Sequence, residues 1–452
     1  MQTLAEPQQG DAAPGSDEAE LFAWVEQVCG GPITRSVQAS GGNRCRSWSL
    51  DAGGHEVFLR YGPSRPPGVE PYTVHREAQV YRAIAASGVQ APHLIAEHPS
   101  IPAILTDRAP GIAEFRRLSD PATKQAIASE LMDNLARLHR TDMMGVVLDG
   151  GGQGTRIADH VRAELAIWQA MYAEAGETDP LLGLAFHWLR DNLPDPDGPA
   201  VLVHGDAGPG NFLFEDGRLT ALIDWELAHL GDPMEDLAWF SMRCVMEPVP
   251  DFGASLRDFE RFSSTPIDRA RVLYHRVFVS TRVVVIRHRN ITGEPAHTIV
   301  SRALNRRLLI EALSDASGCP VTIEPPLERP PTPRTALYEH VLADLRDVVV
   351  ARSTDSQVIA RAKDAAKVIK YLQASDRLGE ALEDADLAAL GGILGCLPTS
   401  DEAGWAILSA AISDGRIAFS DALSFFAGQA ARQGQLAAAA SGGIAHRHYP
   451  AL

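Results

Sequence analysis

Residues 201–236 read Val-Leu-Val-His-Gly-Asp-Ala-Gly-Pro-Gly-Asn-Phe-Leu-Phe-Glu-Asp-Gly-Arg-Leu-Thr-Ala-Leu-Ile-Asp-Trp-Glu-Leu-Ala-His-Leu-Gly-Asp-Pro-Met-Glu-Asp. Val201 to Val203 is a short apolar run that ends on His204-Gly205-Asp206, and two further apolar runs follow at 212–214 and 219–223. Asp216-Gly217 between those two runs is a hairpin signal, because a tight two-residue turn needs positive φ. Asp206 and Asn211 therefore stand before a β-hairpin, and Asp224 closes it. A hairpin returns its two ends to one place, so these three side chains are expected to converge. Two carboxylates and an amide oxygen suit a hard divalent cation. Mg²⁺ takes only one or two protein carboxylates and fills its shell with water and phosphate oxygens. A carboxylate beside such a metal can accept the proton of a substrate hydroxyl, which is the layout of phosphoryl transfer from a metal-bound nucleotide.

His204-Gly205-Asp206 followed by Asn211, then Ile223-Asp224-Trp225-Glu226, resembles the catalytic block of the aminoglycoside phosphotransferase and choline kinase group. Gly231-Asp232-Pro233 and Asp236-Leu237 match it as well. The resemblance implies an α+β, protein-kinase-like fold of two lobes. It implies ATP- and Mg²⁺-dependent phosphorylation of a hydroxyl on a small molecule. In that reading Asp206 is the catalytic base, Asn211 and Asp224 hold Mg²⁺, and Glu226 adds a more distant contact. Asp236 would open the next helix and brace the catalytic loop from behind. The bland alternative is a structural hairpin with chance acidic residues, and several fixed residue types at fixed spacing speak against it.

The chain has 452 residues, room for roughly two or three domains at ~150 residues each. Its hydrophobic share of 45% and charged share of 22% are those of an ordinary globular protein. A net charge of −17 argues against non-specific binding to nucleic acid or to an anionic membrane. A local basic patch could still invert the field for an anionic substrate. Cys29, Cys45, Cys244, Cys319 and Cys396 lie far apart with no Cys-x-x-Cys pair. Zinc is therefore not expected, and the odd count suits free thiols in a reducing cytoplasm. No stretch approaches the ~20 apolar residues of a membrane span. Residues 1–20 read as a flexible arm, polar and without the basic start of a signal peptide.

Residues 21–108 read as a small β-rich nucleotide-binding lobe. Leu21 to Val28 is a short amphipathic pattern. Strands are expected at Trp48–Leu50, Val57–Arg60, Ala91–Leu94 and Pro102–Thr106, with Gly53-Gly54 turning between the first two. Ser40-Gly41-Gly42-Asn43 resembles the family's phosphate-covering loop, in which Gly41 and Gly42 would lay backbone N–H groups on phosphate. An ordinary hairpin is the competing explanation. Kinases set a cation on the next strand, paired with a helix glutamate. Here the strand carries Arg60 where the family has lysine, and Glu77 in the helix opened by His75-Arg76-Glu77 is the partner expected. Arginine is permanently charged and grips phosphate or carboxylate with two donors. A surface ion pair is the alternative. Residues 105–111 resemble the hinge to the large lobe.

Residues 109–323 read as a large helical catalytic lobe, with helices from Pro121 to Arg140, Ile157 to Ala175, Leu181 to Leu193, Leu237 to Met246 and Asp268 to Arg289. Residues 247–267 read as a loop or insertion. His139 is expected to pack and cap rather than to catalyse. Arg271, His275, Arg282 and Arg289 are spaced four, seven and seven residues apart and so share a helix face. That face reads either as a cationic wall for an anionic substrate or as a solvated, salt-bridged surface. Residues 324–334 form a linker with five prolines between 325 and 333, a composition that favours a stiff extended spacer. Residues 335–452 read as a helical accessory domain with segments at Thr335–Arg352, Asp355–Ala374, Leu378–Leu394 and Ala406–Arg432 and a fraying end. It carries no chemical motif, and packing or homodimer formation are the roles open to it.

The accessory tail and Arg60 resemble the branch of this family found with acyl-CoA dehydrogenases, which includes kinases acting on hydroxyacyl-CoA. The expected acceptor is therefore a hydroxyacyl-CoA or hydroxy acid. An antibiotic O-phosphotransferase for an aminoglycoside or macrolide is the alternative. A catalytically silent kinase-fold binding module is the alternative of another class.

Overall fold

The computed structural model describes residues 16–39, 45–62, 70–143, 146, 148–174, 176, 178–289, 295–396, 398 and 401–452. The expected phosphate loop with Gly41 and Gly42 lies outside the described residues. Contacts divide the chain into two units. The first takes residues 1–167, 194–272 and 450–452, and the second takes 168–193 and 273–449.

The described residues begin with helix α1, Ser16–Cys29, so residues 16–20 are helical rather than part of a loose arm. Strands β1 Ile33–Gln38, β2 Arg46–Ala52 and β3 His55–Tyr61 follow. Then come helix α2 Val74–Ile84, and strands β4 Leu94–Glu97 and β5 Ala103–Asp107. The five strands form one antiparallel sheet in the order β1-β2-β3-β5-β4. Gly53 and Gly54 turn β2 into β3 at φ +56° and +81°. Alternation along β3 sorts its side chains by face. Val57, Leu59 and Tyr61 are buried in one cluster with Leu21, Val25, Trp48 and Leu50, while Phe58 and Arg60 point the other way.

Helix α3, Pro121–Leu138, starts on an Asp120 cap with proline in its first turn. Helices α4 Ile157–Glu174 and α5 Pro180–Asp191 come next. The stretch that decides the fold then gives β6 Val201–Val203, β7 Phe212–Glu215, β8 Arg218–Leu222 and β9 His229–Gly231. β7 and β8 form the expected antiparallel hairpin, and β6 pairs with β9. Asp216 and Gly217 hold the turn at φ +49° and +77°. Helix α6, Met234–Met246, is buried over most of its length.

Residues 247–267 are not a loop. They carry helix α7, Phe252–Ser263, whose Asp251 cap accepts from Ala254 N. Phe252, Ser255, Leu256 and Phe259 make its buried face. Gln125 of α3 fixes it at two points, donating to Ser255 Oγ at 3.1 Å and accepting from Asp251 N at 2.9 Å.

The second unit is helical. α8 Arg269–Arg289 enters it, and α9 Pro295–Ser317 follows. Next are α10 Thr335–Asp344, a π-helical turn at Leu345–Val350, α11 Ser356–Leu394, α12 Asp401–Ser413 and α13 Phe419–Ser441. The two segments expected at 355–374 and 378–394 are one helix of 39 residues, because neither Ser375-Asp376 nor Gly379 interrupts it. The proline-rich stretch carries no helix or strand, and Gln435 of α13 bonds both the N–H and the C=O of Leu327, at 3.2 Å and 2.5 Å. The end of the chain does not fray. Tyr449 is buried, its hydroxyl lies 2.7 Å from Ser280 Oγ, and Arg276 stands over its ring. Among the described residues no helix is long and apolar enough to cross a membrane.

Phe259 is fully buried, and its ring meets His139 edge-on at 5.7 Å. Phe259→Ala is expected to cost about 3–5 kcal/mol in urea unfolding, as for a truncated core aromatic. A surface loop at this place would give a change within about 0.5 kcal/mol.

Candidate functional site

The loop between β6 and β7 carries the first two candidates. Its start is fixed by Asp236 in the first turn of α6. Asp236 is fully buried, and its carboxylate accepts from His204 N and Gly205 N, each at 3.0 Å. His139 Nε2 hydrogen-bonds the same carboxylate at 2.9 Å. So His139, at the C-terminal end of α3, is a positioning group, and Asp236 braces the loop from behind. Gly205 has φ +75°, and a Cβ there would stand 2.2 Å from Leu227 O. The chain is glycine at this point because only glycine fits both the angle and the space.

Beyond Gly205 the loop turns Asp206 outward. Asn211 Nδ2 donates to Asp206 O at 2.8 Å. Asn211 O in turn accepts from Ile223 N at 3.0 Å, so the loop and the far end of the hairpin are tied at the residue before Asp224. His204 Nε2 bonds Ile223 O at 3.0 Å, and its ring lies 4.6 Å from that of Trp225. Asp224 itself is left-handed, φ 67° and ψ 59°. Asp tolerates that region better than most residues, but it remains an uncommon conformation held by the surroundings.

Arg60 projects from β3 and ties the carboxylates together. It is 2.9 Å from Glu77, 3.0 Å from Asp224 and 2.7 Å from Glu226. Burial pulls its pKa down, but Glu77, Asp224 and Glu226 more than offset that and hold it well above the ordinary arginine value. Glu77 is 2% exposed. Burial pushes its carboxyl up to about 7, with Arg60 pulling the other way. Since Arg60 has three acidic partners, it stays anchored even where Glu77 takes up a proton.

The arginine face of α8 is a packed face, not an open wall. Arg271 grips Asp232 through Nε at 2.8 Å and through Nη2. His275 is fully buried and meets the Tyr274 ring edge-on. Arg282 is 1% exposed, with its guanidinium 3.9 Å from the Phe278 ring centre and 5.6 Å from that of Trp168. The Arg282 contacts are cation–π packing; with the Asp232 pair on Arg271 and the burial of His275, they leave these three side chains little surface for a substrate. The Arg289 side chain lies outside the described residues.

One site residue escaped the sequence reading. Arg243 of α6 donates from Nε to Asp206 Oδ1 at 2.7 Å and from Nη2 to Asp206 Oδ2. It stands seven residues after Asp236, which puts both on one face of α6. That spacing was the signal available.

Asp236→Ala would strand the His204 and Gly205 N–H groups inside the protein. The expected cost is about 1–3 kcal/mol for each stranded donor, read from denaturant unfolding. A total below about 1 kcal/mol would mean that the loop does not lean on this carboxylate.

Known proteins resemble this chain in sequence and in fold. The chain is 31% identical over 213 residues to acyl-CoA dehydrogenase family member 11 of Gallus gallus, covering 45% of this chain and 27% of that protein. It is 31% identical over 247 residues to the Homo sapiens protein of the same name, covering 50% and 31%. The chain thus spans under a third of the length of these relatives. It is 30% identical over 222 residues to hygromycin-B 4-O-kinase of Escherichia coli, covering 46% of this chain and 61% of that one. Among solved structures, a candidate aminoglycoside phosphotransferase of Ralstonia eutropha aligns with a TM-score of 0.53 at 21% identity, over 66% of this chain and 98% of that one. That is a likeness of fold, and the fold is kinase-like. The model of the APH phosphotransferase enzyme family matches residues 37–272, just over half of the chain, and the chain belongs to that family.

Proposed function

We propose that this small-molecule phosphotransferase uses ATP and Mg²⁺ to phosphorylate the hydroxyl of a hydroxyacyl-CoA or hydroxy acid. The observation that carries the reading is the loop-and-hairpin cluster. Asn211 is bonded to Asp206 O and to Ile223 N beside Asp224, and Arg60 holds the Asp224 carboxylate.

Asn211 spends its NH₂ group on Asp206 O, which leaves its amide oxygen to face a ligand. With Asp224 that makes two hard oxygen donors, the number Mg²⁺ takes from protein beside phosphate and water. Asn211 and Asp224 would hold the ion, which would offset the charge of the nucleotide phosphates. Arg60, fixed by Glu77, faces the same phosphates, as Gly41 and Gly42 would with their N–H groups. Glu226 holds Arg60 in place. Asp206 orients the acceptor hydroxyl and takes its proton. The hydroxyl oxygen forms the new bond to the γ-phosphorus as the bond to the bridging oxygen breaks, and ADP leaves. Five widely spaced cysteines with no Cys-x-x-Cys pair suit the cytoplasm for this work.

The hydroxyacyl class is supported by the relatives that carry acyl-CoA dehydrogenase names. The antibiotic reading is favoured by one observation, the relative named hygromycin-B 4-O-kinase.

Asp206→Ala is expected to keep ATP binding and to cut turnover by ~10²–10⁴-fold, the usual share of a general base. Near-normal turnover would remove Asp206 from that role, and the absence of any ATP turnover in the wild-type chain would favour a silent binding module. ADP release measured across hydroxyacyl-CoAs, hydroxy acids, aminoglycosides and macrolides sorts the acceptors. Turnover of the antibiotics alone would sink the hydroxyacyl proposal.

A further inference from the structure

Arg243 is not among the residues quoted for the family resemblance, yet it holds both oxygens of the candidate base. We infer that Arg243 positions Asp206 and sets acceptor choice, by placing a donor for a carbonyl or carboxylate oxygen beside the hydroxyl to be phosphorylated. The inference rests on the reading of Asp206 as the base.

Three observations carry it. First, the contact is a fork. Nε and Nη2 meet Oδ1 and Oδ2 in parallel, the arrangement a planar guanidinium makes with a carboxylate. A carboxylate has about four lone-pair directions, so each oxygen keeps one for the acceptor hydroxyl while its plane is fixed.

Second, the loop is shaped around this side chain. Gly208 has φ +142°, and a Cβ on it would stand 2.6 Å from Arg243 Cβ and 2.9 Å from Cγ. Gly210 has φ +97°, and its Cβ would stand 3.5 Å from Nη1. The catalytic loop runs over the stem of Arg243 at Gly208, where any side chain would collide with it. A chance ion pair on a surface requires no such room.

Third, one end of the guanidinium is left over. Nη1 carries two N–H groups, and among the described residues neither donates to any protein atom. The side chain is 24% exposed, so ligand can reach it. Burial pulls its pKa down, but Asp206 above all, with Asp224 and Glu226, holds it above the ordinary value. It is a permanent cation. An acceptor whose reacting hydroxyl meets Asp206 brings its neighbouring substituent to that cation. A carbonyl or carboxylate oxygen gains a charge-assisted hydrogen bond there, and an ammonium group is repelled.

The test uses the full chain with two acceptors: a hydroxyacyl thioester of pantetheine, and the matched thioether in which the carbonyl becomes CH₂. The wild-type protein is expected to prefer the thioester by about 10- to 100-fold in kcat/KM, the worth of one hydrogen bond to a charged group. Arg243→Gln is expected to raise KM for the thioester alone, so that the preference collapses, and to lower kcat for both. Arg243→Lys keeps the charge without the fork. It should retain most of the preference while kcat falls. ATP binding measured on each variant reports folding. Should Arg243→Gln fail to bind ATP, Arg243→Lys and the wild-type preference decide by themselves. Equal use of thioester and thioether by the wild-type protein, or wild-type kinetics in Arg243→Lys, would overturn the inference. If hygromycin B is phosphorylated and neither pantetheine compound is, the hydroxyacyl proposal and the acceptor half of this one both fail. The positioning half is then read from kcat of the Arg243 variants on hygromycin B, and an unchanged kcat would overturn it.

Discussion

A single buried carboxylate carries the arrangement of the site. Asp236 has no exposure, and a bare charge in that position would cost several kcal/mol. Two main-chain N–H groups and one imidazole meet it instead. Because the N–H groups belong to His204 and Gly205, satisfying the charge also fixes the backbone of the loop at its first two residues. Gly205 then has to take positive φ against Leu227, and Asp206 is turned to Arg243. The direction of the candidate base is thus a consequence of where a buried charge finds its donors.

The chemistry of the site is a matter of shared charges. Four carboxylates, Glu77, Asp206, Asp224 and Glu226, would repel one another in a cleft without cations. Arg60 divides itself among three of them, and Arg243 takes the fourth. Burial lifts Glu77 to about 7, which shows how close to neutrality a carboxyl comes there even with an arginine at 2.9 Å. A protein of net charge −17 keeps two fixed cations among these four carboxylates. Arginine rather than lysine on β3 fits this, since one planar group with five donors can serve three acids at once.

What the sequence made legible was what local rules govern. Asp216-Gly217 marked one turn, Gly53-Gly54 marked the turn between β2 and β3, and fixed spacing brought Asp206, Asn211 and Asp224 to one hairpin. The Arg60–Glu77 pair was readable from the order of strand and helix. The rest depended on partners far along the chain. α7 was hidden by the Pro and Ser around it, and it exists because Phe259 and Leu256 find α3. α9 went unread because Leu304, Leu308, Leu309 and Leu313 sit among charged residues without a clear stripe. The arginines of α8 share a face, as their spacing required, but spacing cannot distinguish an open face from one packed on Phe278 and Trp168. The break expected within α11 rested on local composition, which a long packed helix overrides.

The same limit explains Arg243, and its place on α6 explains the loop. Residues 204–211 contain three glycines, each at positive φ, and glycine is the residue that loses most freedom on ordering. Such a loop cannot hold catalytic geometry by its own stiffness. α6 supplies the stiffness. Asp236 and Arg243 lie seven residues apart, about 10 Å along one face at 1.5 Å per residue. The first offers an acceptor for the loop's main chain, and the second offers donors for its carboxylate. Opposite charges two turns apart on one helix meet opposite needs of one loop. The loop can then afford its glycines, because its conformation is imposed on it by the helix behind it.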